Sequence, residues 1–361
     1  MNQQKSVRVL ILQNNIAEYR EELYNILADR YELTIGFNNI DYTSLDFKVL
    51  KKKYDSFQLG PFTIFKGGFY RDVKNYDVVI INNDLHQLSF ITLPFIPHKN
   101  KIICWSMGIR ASYTRPYDLE RKHTIADKIF AFIMDKCDSI ILYMEEVKRF
   151  WSNKELNYSK VFTAINTVKV QHAVYPERMK KDFLFIGTLY KQKGVDKLIN
   201  CFSEVINSVH ADIKLHIVGE GDQKEALMNL TTKLGINSNV LFYGALYDEI
   251  KISKLFSQSI ICISPTQAGL SVPKSLGYGV PFITHKDAIT GGEIYHINNG
   301  VNGIMYENQK DLKRIMFEAI TNRSKFLEMG VNARNYYINK ATPIHMAQGF
   351  IDAINYALAH K

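Results

Sequence analysis

The sequence has no apolar run long enough to cross a lipid bilayer. The apolar stretch near its start, within Val7–Leu12, is too short for the apolar region of a signal peptide. The next apolar segment, Phe90–Pro97, contains two prolines. We therefore expect a cytoplasmic protein without a membrane-spanning segment.

Cysteine is scarce, and no two cysteines lie close together in the sequence. The sequence has 4 cysteines, and they lie far apart. This pattern excludes a zinc site or a disulfide framework built on close cysteine pairs, and it favours a reducing compartment. The sequence also lacks an Asp-x-Asp pair. We predict no cofactor and no metal requirement.

Positive charge is in excess, but no part of the chain concentrates it. The 45 Lys and Arg residues outnumber the 36 Asp and Glu residues, which gives a net charge of +9. Both halves of the chain share this excess. A nucleic-acid-binding protein would concentrate it in a stripe or tail, so we expect no nucleic acid partner. An anionic substrate or an anionic membrane surface suits the charge better.

Short apolar segments alternate with helical patterns in the first half. Val7–Leu12, Asp77–Asn82, Lys101–Ser106 and Asp138–Met144 read as buried strands. Apolar residues at helical spacing lie between them, for example around Ile125–Phe132. Strands that alternate with helices predict a doubly wound parallel sheet.

The pattern starts again in the second half. Asp182–Thr188, Ile213–Gly219, Val240–Ala245 and Ile261–Pro265 read as strands that alternate with helices. We therefore predict two Rossmann-like domains, 1–172 and 173–340, joined through the polar segment Lys169–Lys181. The amphipathic helix in 341–361 is expected to pack back on the first domain. A ligand cleft is expected outside the carboxyl ends of the strands.

Glycine follows several strands of the second half. The junctions read "IGTLYKQKG", "VGEGD", "YGAL" and "SPTQAGLSVPKSLGYGVPFITH". Glycine at such a position allows a phosphate or a ring to approach the backbone and the free amides at a helix start. A single glycine there is usually only a tight turn. Repetition on one edge predicts a phosphate cradle in which Gly269, Gly277 and Gly279 make room for the ligand.

These segments resemble the donor-binding domain of retaining glycosyltransferase family 4, in the branch that assembles polysaccharide, O-antigen and capsule. The resemblance rests on "FIGTLYKQKGVDKLINCF", "LHIVGEGDQKEAL", "VLFYGAL", "ICISPTQAGLSVPKSLGYGVPFIT" and "GGEIYHINNGVNGIMY". It implies a GT-B fold of two Rossmann-like domains facing a cleft, and a nucleotide diphosphate sugar as donor. The first half resembles the family more loosely, in "AEYREELYNIL", "CWSMG" and "INTV".

The resemblance assigns residues to the donor. Lys193 and Lys274 are expected to neutralise the leaving diphosphate as catalytic cations, and Glu293 is expected to be a structural or donor-side carboxylate. The remaining donor-binding residues implied are Gly187, Thr188, Lys191, Gly219, Gly244, Ala245, Leu246, Thr266, Ala268, Gly269, Leu270 and Ser271.

Three of these positions depart from the family pattern. Thr188 stands where the family usually has Arg, and Lys191 is a candidate to compensate. Thr266 and Lys274 stand where the family has the two glutamates of Glu-x7-Glu. A lysine only donates hydrogen bonds, so Lys274 cannot hold ribose hydroxyls as a glutamate does. We expect it to reach the diphosphate instead.

The acceptor side is less well defined. The family often has a histidine where Met107 stands, and His86 is a candidate substitute with a catalytic role. Tyr19, Arg20, Met107, Gly108 and Arg110 are the acceptor-side residues implied, and Arg115 is a further loop cation. The basic and aromatic segments Lys48–Tyr54 and Ser89–Lys101 suit contact with an anionic membrane; a solvated lysine run is the simpler alternative.

The function expected is transfer of a sugar from a UDP- or GDP-linked donor to a glycan or a lipid-diphosphate-linked glycan. The enzyme would be a retaining hexosyltransferase of bacterial surface polysaccharide assembly, on the inner face of the cell membrane. Because Thr266 replaces the candidate nucleophile, a front-side displacement with the departing phosphate as base is expected. Two alternatives stay open, a GT-B epimerase and a non-catalytic partner that binds nucleotide sugar.

Overall fold

Two sheets organise the chain. The structure is a computed structural model that describes residues 6–44, 46–111, 117–170, 180–209 and 211–360. The chain divides into one unit of Met1–Asn166 with Pro343–Lys361, and a second unit of Thr167–Thr342. The predicted boundary at 172/173 and most of the predicted linker lie outside the described residues, as does Arg115.

The first unit is an α/β layer structure whose sheet has seven strands among the described residues. Its helices and strands in chain order are β1 (Arg8–Gln13), α1 (Glu21–Ala28), β2 (Glu32–Phe37), β3 (Leu50–Lys53), β4 (Ser56–Leu59), β5 (Phe62–Phe65), α2 (Phe69–Val73), β6 (Val78–Asn82), α3 (Leu88–Ile91), β7 (Lys101–Ser106), α4 (Ile125–Lys136), β8 (Ser139–Leu142) and β9 (Val161–Thr163). The sheet order is β3-β2-β1-β6-β7-β8-β9, and every pair in it is parallel. Strands β4 and β5 form a separate antiparallel hairpin.

The second unit repeats the plan with a sheet of six strands in the described part of the chain. Its elements are β10 (Asp182–Ile186), α5 (Val195–Val209), β11 (Leu215–Val218), α6 (Lys224–Lys233), β12 (Val240–Phe242), α7 (Glu249–Gln258), β13 (Ser259–Ile263), β14 (Gln267–Ala268), α8 (Ser271–Gly277), β15 (Phe282–His285), β16 (Ile289–Thr290), β17 (Gly303–Tyr306), α9 (Gln309–Thr321) and α10 (Arg323–Lys340). The parallel sheet runs β12-β11-β10-β13-β15-β17, and β14 pairs with β16 beside it.

The central strands of both sheets are buried on both faces, as parallel strands are when helices cover the sheet. Val9 to Leu12 of β1 and Phe183 to Phe185 of β10 are almost completely buried. Helix α5 buries its apolar stripe, with Leu198, Phe202 and Val205 inside the core of the second unit. The doubly wound α/β class predicted from the alternating pattern is confirmed.

The last helix, α11 (Pro343–Ala359), belongs to the first unit. Its Met346, Phe350 and Ile354 are buried in the core that α1 and β7 share. The Phe350 ring meets the Trp105 ring edge to face, with centroids 4.8 Å apart. The chain thus returns to its first unit after completing the second.

Candidate functional site

The carboxyl ends of β10, β11, β12 and β13 lie on one edge of the second sheet, because these neighbouring strands are parallel. Gly187, Gly219 and Gly244 follow the first three strands, and each has a positive φ. A Cβ on Gly219 would lie 1.9 Å from the Gly187 carbonyl oxygen. Part of the glycine pattern therefore serves close packing of the loops themselves.

Three consecutive amides at the β14–α8 junction have no acceptor within the described chain. The N–H groups of Gly269, Leu270 and Ser271 make no hydrogen bond there. A Cβ on Gly269 would meet no atom of the described residues within 4 Å. Unpaired backbone N–H groups need a partner, and successive ones form an anion-binding concavity. This junction has the open, donor-rich backbone that the sequence predicted.

The other two glycines of this stretch serve the fold, so for them the expectation of ligand space is wrong. A Cβ on Gly277 would lie 2.5 Å from Val170 Cγ2 and 3.2 Å from the Tyr337 ring. Gly279 has φ 65°, and its carbonyl oxygen accepts a hydrogen bond from buried Lys180. They let α8 end and turn tightly against α10.

Lys193 lies over the loop that follows β10. A Cβ on Gly187 would be 3.4 Å from its Nζ, and that Nζ is 5.5 Å from the centre of the Tyr190 ring. Within the described residues the ammonium makes no hydrogen bond and no ion pair. Burial lowers the pKa of Lys193 to about 8, and the charge of Glu293 counteracts part of this effect. The group remains mostly protonated at neutral pH, and no carboxylate of the described residues forms an ion pair with it.

Short contacts tie the loops around Lys193 together. The Thr266 hydroxyl donates to the Gln192 carbonyl oxygen at 2.5 Å, and Tyr190 Oη donates to Gln267 Oε1 at 2.5 Å. A Cβ on Gly194 would lie 3.0 Å from Thr266 Cγ2. The loop after β10 and the loop after β13 are therefore linked into one wall.

Glu293 belongs to the same wall. It is buried, and its Oε2 accepts hydrogen bonds from the Gly291 amide at 2.8 Å and the Thr290 hydroxyl at 3.2 Å. Thr290 is paired in β16 with Ala268 of β14. The carboxylate holds its own turn in place and supplies negative charge near Lys193.

Lys274 has a different environment from the one expected. Its Nζ lies 2.6 Å from Glu249 Oε1, and both side chains are largely buried. Tyr278 Oη donates to the other oxygen of Glu249 at 2.9 Å. Burial and the Glu249 charge raise the pKa of Tyr278 above its usual value. In this structure the charge of Lys274 is therefore balanced within the protein, and it is not a free phosphate cation.

The remaining donor-side residues follow the strand ends. Thr188 and Lys191 are exposed, and neither side chain makes a hydrogen bond or an ion pair in the described chain. Ala245 is exposed beyond β12, whereas Leu246 packs against the core beside α8. Lys191 is thus available to compensate for the missing arginine at Thr188.

A cavity of about 630 Å³ opens at the carboxyl ends of β6 and β7 in the first unit. Three of the predicted acceptor-side residues, His86, Met107 and Arg110, line it. His86 is exposed there, and its Nδ1 is 3.0 Å from Asp84 Oδ1. The structure thus brings these three side chains to one place.

The other acceptor-side residues have structural surroundings. Gly108 has φ 80°, a Cβ on it would lie 2.3 Å from Val147 Cγ1, and its carbonyl oxygen accepts from Trp151 Nε1 at 2.7 Å. Arg20 is only 4% exposed. Its guanidinium carbon lies 4.9 Å from the ring centres of Tyr19 and Trp105. Arg20 is therefore a buried cation surrounded by aromatic rings, and its burial does not suit the acceptor-side role that the resemblance implied for it.

Sequence reasoning missed Asn83, which lines the same cavity. It is 4% exposed, and its Nδ2 donates to the Phe130 carbonyl oxygen at 3.1 Å. Its Oδ1 has no partner in the described chain, which is rare for a buried polar atom. The signal was available, because an Asn-Asn pair follows β1 and β2 directly, and a third pair, Asn82-Asn83, lies at the end of β6. Neutral amides at a sheet edge offer the donors and acceptors that sugar hydroxyls need.

Known proteins share the fold. Anabaena HepE in complex with UDP superposes with a TM-score of 0.69 at 13% identity, over 97% of this chain and 100% of that chain. The fold of this chain is GT-B.

A match to a family model lies within the second unit. Residues 169–336 match the family model of the glycosyl transferases group 1. An uncharacterized glycosyltransferase of Haemophilus influenzae is 26% identical over 203 residues, 55% of this chain and 56% of that protein. The lipopolysaccharide glucosyltransferase WaaG of Escherichia coli is 24% identical over 193 residues, 52% of this chain and 48% of WaaG. The chain spans about half the length of the curated relatives it matches.

The described residues contain no group of three or more His, Cys, Asp or Glu side chains suited to a metal ion. Among the helices of the described chain, none combines the length and the hydropathy needed to span a bilayer.

Proposed function

We propose that this protein is a retaining glycosyltransferase that moves a sugar from a UDP- or GDP-linked donor to a glycan or a lipid-linked glycan of a bacterial surface polysaccharide. The observation that carries the proposal is the set of amides at Gly269, Leu270 and Ser271 that have no acceptor among the described residues, in a wall that also holds Lys193. A diphosphate needs backbone donors and a cation, and this wall offers both.

The donor diphosphate binds with its charge shared between these amides and Lys193. Lys191 supplies a second, movable charge, because Lys binds phosphate as a point charge on a flexible stem. Lys274 contributes indirectly: its ion pair with Glu249 fixes the start of α7 against α8. The similarity to HepE, whose structure contains UDP, supports a nucleotide donor.

The reaction proceeds on the sugar face that the diphosphate leaves. Thr266, whose hydroxyl is engaged with the Gln192 carbonyl, has no acidic group to act as a nucleophile, and Glu293 is held by its own turn. The departing phosphate therefore takes the proton of the acceptor hydroxyl. The protein contributes position and charge, and each lowers the barrier to transfer.

The acceptor occupies the cavity of Asn83, His86 and Arg110. A sugar hydroxyl donates to Asn83 Oδ1, and the His86–Asp84 pair faces the same space. The similarity to a lipopolysaccharide glucosyltransferase supports an acceptor at the bacterial surface. The protein works in the cytoplasm, in peripheral contact with the anionic face of the membrane.

The test is nucleotide release by the purified full chain from a panel of UDP- and GDP-sugars, with and without acceptor lipids. Release in the presence of one donor, with the anomeric configuration of the product read by NMR, supports the proposal. The Lys193→Ala variant should lose release, and Lys197→Ala, an exposed lysine of α5, should keep it. Binding of UDP or GDP without any release favours a non-catalytic partner. Conversion of the donor into its epimer favours an epimerase.

A further inference from the structure

Lys193 ends a short 3₁₀ turn that begins next to Tyr190. The turn covers Lys191–Lys193, and the Lys193 amide donates to the Tyr190 carbonyl oxygen at 3.0 Å. Side chains three residues apart lie over each other in such a turn. This local geometry brings the Lys193 ammonium to 5.5 Å from the centre of the Tyr190 ring. The proposed function assigns no role to Tyr190.

The Tyr190 ring restricts a side chain that is otherwise free to move. A lysine side chain is flexible, and its ordering costs conformational entropy. The Lys193 ammonium forms neither a hydrogen bond nor an ion pair within the described part of the chain. It lies near the Tyr190 ring on one side and near the Gly187 turn on another, where a Cβ would be 3.4 Å from Nζ. An ammonium within about 6 Å of a ring centre is attracted to the ring face.

An aromatic ring holds a cation without neutralising it. Lys274 shows the alternative, because its Nζ lies 2.6 Å from Glu249 Oε1 and a phosphate would have to compete with that carboxylate. The Tyr190 ring has no net charge, so Lys193 keeps its positive charge for an anionic ligand. Glu293 also acts on Lys193 through its charge, but its Oε2 accepts hydrogen bonds from its own turn.

The Tyr190 hydroxyl fixes the ring to the loop that follows β13. Its Oη donates to Gln267 Oε1 at 2.5 Å, and Gln267 is only 9% exposed. Gln267 begins β14, which pairs with β16, and it lies two positions before the first of the amides 269–271. Tyr190 therefore links the Lys193 ammonium to the strand that leads into these amides.

We propose that Tyr190 is a positioning residue of the donor site. Its ring holds the Lys193 ammonium over the Gly187 turn, and its hydrogen bond to Gln267 fixes this cation relative to the amides 269–271. The cation and the amides are then presented to the two phosphoryl groups as one preformed unit, which reduces the entropy lost on binding. The inference rests on the proposed function in that the ligand they share is a nucleotide diphosphate.

Calorimetric titration of the full chain with UDP and with GDP tests the ring. Tyr190→Phe keeps the ring and removes the hydrogen bond, whereas Tyr190→Leu removes both. Tyr190→Leu should weaken nucleotide binding about threefold more than Tyr190→Phe, the usual worth of a cation–π contact. In a Lys193→Ala chain this difference should disappear, because the ring has no cation left to hold. A difference that persists there would give the ring a purely structural role and overturn the proposal.

Gln267→Leu tests the hydrogen bond from its other end. It should weaken nucleotide binding about threefold, as Tyr190→Phe does, and the two substitutions together should weaken it no more than either alone. Additive losses would contradict a link between the two side chains. The matched control is Phe132→Leu, which removes a ring 5.3 Å from Lys136 Nζ in the first unit and should leave nucleotide binding unchanged. Circular dichroism confirms that each variant is folded.

The pKa of Lys193 can be measured without any nucleotide, by NMR titration of the chain labelled with ¹³C-lysine. The Lys193 signal is the one that is lost in Lys193→Ala. Because the ring stabilises the ammonium, Tyr190→Leu should lower the pKa of Lys193 below its wild-type value of about 8, and Tyr190→Phe should leave it unchanged. An unchanged or raised pKa in Tyr190→Leu would overturn the proposal. If the wild-type chain binds neither UDP nor GDP, the proposed function fails, and this titration still decides whether Tyr190 holds Lys193.

Discussion

Lys274 Nζ lies 2.6 Å from Glu249 Oε1, and this ion pair joins α8 to the start of α7. The sequence placed Lys274 where a carboxylate is usual in the resembling family. In the structure, Glu249 of α7 supplies a carboxylate next to Lys274. The local charge is therefore nearly neutral, whereas the sequence predicted a positive centre.

The pair should contribute to stability. Lys274→Glu places two carboxylates together, and we expect it to lower the free energy of unfolding by about 2–4 kcal/mol, because breaking a largely buried pair leaves an uncompensated charge. The swap of both residues, Lys274→Glu with Glu249→Lys, should recover more than half of the loss. Urea unfolding measures both. If the swap variant lost as much free energy of unfolding as the two single substitutions combined, the two groups would not interact.

Lys193 should matter for turnover and not for folding. Lys193→Ala is expected to lower kcat/KM for the donor at least about tenfold, since a charge-assisted hydrogen bond is worth about 1.5–3 kcal/mol. Steady-state nucleotide release measures the effect, with Lys197→Ala as the control. Unchanged kinetics in Lys193→Ala would remove this lysine from the donor site.

The depressed pKa of Lys193 predicts a pH dependence with opposite signs for activity and stability. Its ammonium is present below pH about 8 and is lost above it, so kcat/KM for the donor should fall as the pH rises through about 8. The unfolded chain binds this proton up to about pH 10.5, the ordinary value for lysine. The cost of burying the charge is therefore fully present below pH about 8 and is relieved between pH 8 and 10.5. A Lys193→Ala profile that keeps the alkaline limb would assign the limb to another group.

Two glycines of one stretch should respond differently to substitution. Gly269→Val should leave the free energy of unfolding within about 0.5 kcal/mol of wild type, because no atom of the described chain lies within 4 Å of its Cβ position. It should nevertheless weaken UDP or GDP binding, because the side chain would block the amides. Gly277→Ala should lower the free energy of unfolding by about 1–3 kcal/mol through its clash with Val170. Thermal unfolding and nucleotide titration by calorimetry test the pair. Tight nucleotide binding by Gly269→Val would place the diphosphate elsewhere.

Asn83 should affect the acceptor and not the donor. Asn83→Ala is expected to slow acceptor-dependent transfer about threefold to tenfold, the worth of one net hydrogen bond, while donor hydrolysis without acceptor stays unchanged. Asn100 is the matched control: it is buried, its Nδ2 donates to the Val73 carbonyl oxygen at 3.1 Å, its Oδ1 has no partner in the described chain, and it lies outside the Asn83 cavity. Asn100→Ala should cost similar stability without slowing transfer. Equal slowing in both variants would indicate a general loss of structure.

The sequence by itself determined the fold class and the loops that carry the donor-side wall. Buried parallel strands are continuous apolar runs, and in the second unit glycines with positive φ follow β10, β11 and β12, so both signals can be found locally in the sequence. The strand order cannot be read in this way. The strand order was found only in the structure, in which the parallel registers place Gly187, Gly219 and Gly244 on one edge of the sheet.

Tertiary structure decided what the charged and polar side chains do. Glu249 reaches Lys274 across 25 positions, Trp105 and Tyr19 enclose Arg20, and the Phe130 carbonyl oxygen orients Asn83. A side chain's ion-pair and hydrogen-bond partners depend on distance in space, and these partners are often far apart in sequence. Composition and periodicity cannot predict such distances.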